Sequence, residues 1–167
     1  EDIKEIYSFA EGYKAFLDEA KTEREAVRCI TRVLEAAGFG TNPSGERVFA
    51  VNRGKEAMAF VRGSGDISEG LNIVVAHIDA PRLDLKQNPL YEDVDLALLR
   101  THYYGGIKKY QWVAVPLAIH GVVVRSDGES VDICIGEKED DPVFLIDDLL
   151  PHLSRKTQDE KKLGDAI

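Results

Sequence analysis

Apolar residues recur at intervals of three and four over the first stretch of the chain: Ile3, Ile6, Phe9, Tyr13, Phe16 and Leu17. That spacing predicts one stripe of an amphipathic α-helix. A second helical run begins at Thr22. Thr22 and Glu25 stand at capping-box spacing, Val27, Ile30, Val33, Leu34 and Ala37 form an apolar face, and Gly38 ends the run. The period then shortens. Residues 47–52 (RVFAVN) and 56–62 (EAMAFVR) flank Arg53-Gly54-Lys55 and predict a β-hairpin. Residues 71–77 (LNIVVAH) are short, mostly apolar and rich in β-branched side chains after Gly70. They predict a central strand covered on both faces.

Beyond this strand the character changes. Residues 82–86 (RLDLK) alternate, and residues 97–104 (ALLRTHYY) lead into Gly105-Gly106. Residues 111–124 (QWVAVPLAIHGVVV) are strand-like, interrupted by Pro116 and Gly121. Pro116 favours an edge or a bulge, because it has no N–H to give to a ladder. Residues 130–135 (SVDICI) follow the turn Ser126-Asp127-Gly128. Short strands in succession predict a β-rich unit. Residues 143–153 and a charged tail, 154–167, come last, and Gln158 to Ile167 reads as helix-like or disordered. The boundary between the two characters falls near residues 84–90, which divides the chain into 1–86 and 87–167. One hairpin, one strand and two helices do not complete a doubly covered sheet. The chain is therefore expected to be a fragment, or the ordered part of something longer.

Composition narrows the function classes. The 167 residues are 44% hydrophobic and 31% charged, ordinary for a globular protein. A net charge of −9 argues against a nucleic-acid binder, which needs a Lys/Arg surface to neutralise phosphates. No apolar stretch approaches membrane-spanning length, and the acidic, amphipathic start EDIKEIYSF is not a secretory signal. Cys29 and Cys134 are the only cysteines. Without CxxC or zinc-finger spacing they are expected to be buried free thiols of a cytoplasmic protein.

The chemistry concentrates at VVAHIDAPRLDLK, residues 74–86. A histidine at the C-terminal edge of a buried strand stands where α/β folds place their ligands. Imidazole binds zinc through one ring nitrogen, and its other N–H needs an oxygen acceptor to fix the tautomer. Asp79, two residues after His77, lies on the same side if the chain is extended. An H-x-D triplet alone also fits an ordinary polar strand end, since a zinc site takes three or four ligands. His120 in LAIHGVV reads as a strand-face residue, and His102 beside two tyrosines reads as either a site or an interface residue. The acidic run Glu137, Glu139, Asp140 and Asp141 reads as a solvated loop before Pro142. No Walker loop, GxGxxG, GxSxG or HExxH is present.

Order and spacing of three segments raise the signal. YKAFLDEAKTEREAVRCITRVLEAAGF, then VVAHIDAPRLDLKQNP, then THYYGGIKKYQW resembles the aspartyl aminopeptidase family. The residues that carry the resemblance are Phe16, Leu17, Gly38 and Phe39; His77, Asp79 and Pro81; and Tyr104, Gly105, Gly106 and Trp112. Family members commonly read W-F-D-R-D-L after the Y-G-G segment. This chain reads QWVAVPLAIHG, which marks a divergent, bacterial-type branch.

The resemblance implies an α/β fold: the N-terminal part of a zinc-peptidase catalytic domain, followed by an incomplete β-rich inserted dimerisation domain. It implies a metalloaminopeptidase acting on peptides in the cytoplasm, as a homo-oligomer built from dimers. Two Zn2+ ions per active site are implied, with Co2+ or Mn2+ as substitutes. His77 becomes a metal ligand and Asp79 the catalytic aspartate that supports it, with a cis peptide bond after Asp79. His152, in LLPHLSRK, becomes the histidine that reaches a neighbouring subunit's active site. The other ligands and the general-base glutamate belong to a section after the insertion, so the chain alone is expected to be inactive. Two rivals stand beside this reading. One is another dinuclear metallohydrolase of the same broad fold. The other is a non-catalytic assembly or interaction module.

Overall fold

The computed structural model describes residues 2–155. The chain divides into two compact units, Glu1–Ala80 and Pro81–Ile167.

The first unit opens with helix α1 (Asp2–Glu19) and helix α2 (Glu23–Ala36). The predicted capping box starts α2: Thr22 Oγ1 accepts from the Glu25 N–H at 3.3 Å, and Glu25 Oε2 accepts from the Thr22 N–H at 2.8 Å. At the other end Gly38 takes the left-handed conformation (φ 80°). The Gly38 N–H then reaches Glu35 O, and the Phe39 N–H reaches Leu34 O at 2.9 Å. This pairing satisfies two carbonyls that a helix end otherwise strands. Strands β1 (Arg47–Asn52) and β2 (Glu56–Val61) pair antiparallel from Arg47↔Val61 to Asn52↔Glu56, closing on the predicted Arg53-Gly54-Lys55 turn.

Packing in this unit is thin but specific. Ala26, Val27 and Cys29 on α2 and Phe49 on β1 are buried. Arg47 Nη1 donates to Ala37 O at 2.9 Å and Arg24 Nη1 to Arg53 O at 3.0 Å, tying the hairpin to the helix. An ion pair joins Glu19 to Arg32. Helix α1 buries none of its residues, and its stripe of Ile3, Ile6, Phe9, Tyr13 and Leu17 is exposed.

The expected central strand at residues 71–77 is absent. Residues 71–80 carry no regular secondary structure, and Ile73, Val74 and Val75 are 74, 97 and 86% exposed. The reason is pairing. A central strand needs a neighbour on each side to take its N–H and C=O groups, and among the described residues of this unit β1 and β2 pair with each other. The β-branched composition is there; the ladder is not.

The second unit is a pair of hairpins. Strand β3 (Arg82–Asp93) pairs with β4 (Leu96–Tyr104), and β5 (Ile119–Val124) with β6 (Ser130–Ile135). A bridge between Leu117 and Phe144 adds to the second hairpin, and one helical turn, α3 (Pro151–Ser154), follows. The second compact unit begins at Pro81, where β3 starts at Arg82 and pairs with β4 on either side of residues 86–89. The strand-like reading of residues 111–118 fails for a similar reason: a 3-10 turn occupies Lys109–Gln111, and β5 starts only after Pro116. Cys29 is a buried free thiol as expected, whereas Cys134 on β6 is exposed. The reading of residues 158–167 lies outside the described residues. No helix among the described residues is long and apolar enough to cross a membrane.

Candidate functional site

His77 and Asp79 meet in the irregular stretch that ends the first unit. His77 Nδ1 lies 3.1 Å from Asp79 Oδ1 and 3.0 Å from the Asp79 carbonyl oxygen. Both oxygens are acceptors, so Nδ1 carries the proton and donates. The neutral ring then keeps its lone pair on Nε2. His77 is 84% exposed in its side chain and Asp79 42%. Nε2 takes no partner among the described residues and is open to a ligand. The contact needs no strand; a spacing of two residues in extended chain brings the groups together. The peptide bond after Asp79 is trans, as are all those of the described residues, which corrects the cis expectation.

This arrangement suits one position of a metal site. Imidazole nitrogen is an ordinary zinc donor, and an acceptor behind it raises its basicity. Among the described residues no group of three or more His, Cys, Asp and Glu side chains converges. The fit therefore extends to one ligand and its supporting acceptor.

His152 lies in the second unit at the start of α3, exposed to solvent, and makes no hydrogen bond or ion pair among the described residues. His102 stands on β4 opposite Asp84, its Nδ1–H directed to Tyr103 O at 3.2 Å. His120 is the strand-face residue expected of it. Its Nε2 lies 2.9 Å from Glu137 Oε1, so Glu137 is not merely a solvated loop residue. Asp141 likewise has local work: Oδ2 accepts the Gly136 N–H at 2.9 Å and the Lys138 N–H at 3.2 Å. These two N–H groups, Gly136 foremost, hold its carboxyl below the usual carboxylate range.

Two features escaped the sequence reading. Arg82 donates from Nε to Asp84 Oδ1 at 2.7 Å and stacks over the Tyr104 ring at 4.1 Å. The R-x-D spacing in RLDLK carries the first signal, since alternate residues of a strand share a face. The pairing of Tyr104 with Arg82 appears only once the β3–β4 register is known. The second feature is a bulge in β3 facing Arg100.

Comparison with known proteins follows the same residues. The family model described as aminopeptidase I zinc metalloprotease (M18) matches residues 16–166. A probable M18 family aminopeptidase 1 of Clostridium acetobutylicum is 49% identical over 175 residues, covering 99% of this chain and 37% of the relative. One of the same description from Thermotoga neapolitana is 55% identical over 159 residues, covering 92% of this chain and 35% of the relative. The crystal structure of an M18 aminopeptidase from Thermotoga maritima superposes with a TM-score of 0.87 at 49% identity, covering 98% of this chain and 38% of that one. The chain thus spans a little over a third of the length of the relatives it matches.

Proposed function

The chain belongs to the aminopeptidase I zinc metalloprotease family, M18, and from that premise we propose that it supplies one metal ligand to an enzyme that removes N-terminal residues from peptides. The match over residues 16–166 carries the reading. The geometry at His77 supports the assignment of roles.

His77 is the ligand, through Nε2. Asp79 accepts the Nδ1–H, fixes the tautomer and strengthens the donor nitrogen. When bound, a pair of zinc ions supplies Lewis acidity and a water of lowered pKa. The pair is paired in turn with ligands and a general base outside this chain, and Co2+ or Mn2+ substitutes for zinc. His152 is the candidate that serves a neighbouring subunit. The second unit is the dimerisation insert, and its exposed Leu90, Val123, Val124 and Val131 are candidates for the interface of a homo-oligomer. Two free cysteines suit the cytoplasm.

The test joins this chain to the remaining two thirds of the Thermotoga maritima relative and follows release of N-terminal residues from peptides with zinc present. The joined protein is expected to turn over, its His77→Ala variant to sit at background, and the 167-residue chain alone to be inactive. Enzyme-like turnover by the chain alone, or full activity of the variant, overturns the reading.

A further inference from the structure

We propose that the bulge of β3 forms a binding site for carboxylate groups. Leu85 pairs with Thr101 and Leu90 with Leu99, so residues 86–89 stand opposite Arg100 alone. An ordinary bulge sets two residues against one; this one displaces far more backbone. The displaced backbone borders an open hollow of about 550 Å3 lined by Leu85, Lys86, Gln87, Asn88, Arg100 and His102.

The lining is rich in donors. Lys86 and Arg100 are fixed cations, Gln87 and Asn88 bring amide N–H groups, and no acidic residue is among the lining residues. In a chain of net charge −9 this is a local reversal of sign. Neither Lys86 nor Arg100 forms an ion pair among the described residues. The Arg100 guanidinium lies 4.7 Å over the Tyr91 ring. Stacking uses the face of the guanidinium and leaves its in-plane N–H donors for a partner. The acid closest in register is Asp84, across from His102, and it already accepts from Arg82 Nε at 2.7 Å.

Carboxylate fits this chemistry better than other anions. The planar guanidinium matches a carboxylate with two parallel hydrogen bonds. A nucleic acid is opposed by the charge of the chain as a whole. The carboxylate has two sources, the acidic side chains of a peptide or a free dicarboxylate. The hairpin alone builds the site, so the proposal does not depend on the aminopeptidase reading.

The experiment titrates the 15N-labelled chain with succinate, with a blocked Gly-Glu-Glu-Gly peptide, with its Gln counterpart and with inorganic phosphate. Saturable amide shifts are expected at Lys86, Gln87, Asn88 and Arg100 with succinate, the Glu peptide or both, and none with the Gln peptide. Response to the peptide alone assigns the peptide source, and response to succinate alone the free acid; either supports the site. Arg100→Gln and Lys86→Gln are each expected to weaken binding by about tenfold, the worth of one charge-assisted hydrogen bond. Lys138→Gln, a loss of charge outside the hollow, leaves it unchanged. No saturable shift with either carboxylate, phosphate binding as tight as theirs, or undiminished binding by both hollow variants overturns the proposal. Spectra of the variants that match outside β3 and β4 show that the fold survives, and the Lys86 variant stands in should the Arg100 variant lose its stack.

Discussion

The proton on His77 Nδ1 is shared between the carboxylate and the carbonyl oxygen of Asp79. Asp79→Asn keeps the size of the side chain but offers an amide where a carboxylate oxygen took the Nδ1–H. In the joined enzyme it is expected to cost roughly 10- to 100-fold in zinc affinity or activity, read by metal titration and by kcat/KM. Asp141 gives a second residue-scale prediction. Its folded-state pKa is depressed by the backbone N–H groups of Gly136 and Lys138. Its contribution is therefore complete above the pKa of an unfolded-state aspartate and is lost as the pH falls through the lower folded value. A carboxyl 13C titration is expected to place its midpoint below that of a free aspartate, and Asp141→Asn to abolish the acid-side shift of the Gly136 amide. A midpoint at the free value would show that the loop does not hold the carboxylate. The His77–Asp79 contact was legible in the sequence because two residues of extended chain suffice to make it. The His120–Glu137 contact was not, because the partners lie 17 residues apart and only the hairpin register brings them together.

Elements differ in how much of their stability is local. The ends of α2 are set by short-range chemistry, and Thr22→Ala is expected to cost about 1 kcal/mol in urea unfolding by removing the cap. Gly38 and Gly136 both have positive φ, 80° and 105°. A Cβ at Gly38 meets nothing within 4 Å, whereas one at Gly136 falls 2.9 Å from Ala118 Cα. Gly38→Ala should therefore cost only the left-handed penalty of about 1 kcal/mol, and Gly136→Ala clearly more, because backbone must also move. Equal costs would show that the Gly136 turn yields freely. The two helices, the first hairpin and the cores of β3 to β6 were foreseeable from period and turn residues. The bulge in β3 was not, since Gln87-Asn88-Pro89 reads equally as the end of a strand.

Over the whole molecule the chief observation is apolar surface without cover. Ile73, Val74 and Val75, and the stripe on α1, stand in solvent. Exposed apolar patches of this kind mark surfaces made to be covered. Ile73→Ala is expected to change the unfolding free energy of this chain by less than about 0.5 kcal/mol. In the joined enzyme, where this segment is expected to be covered as a strand, the same change is expected to cost about 2–5 kcal/mol. Calorimetry of the two proteins separates the cases, and a large cost in the short chain would contradict the exposure seen.

What the sequence determined by itself is therefore what depends on near neighbours. It set the helix limits, the hairpin turns, the His77–Asp79 spacing and the motif order that led to the family. Periodicity and capping act over a few residues and leave their mark in the order of residue types. Tertiary structure decided the rest. It left LNIVVA unpaired, placed the unit boundary at Pro81, exposed Cys134 and brought Lys86 to the same hollow as Arg100. Each of these depends on which distant backbone is present to accept a hydrogen bond or cover a side chain. A local pattern states what a segment can pair with, and only the assembled chain supplies the partner.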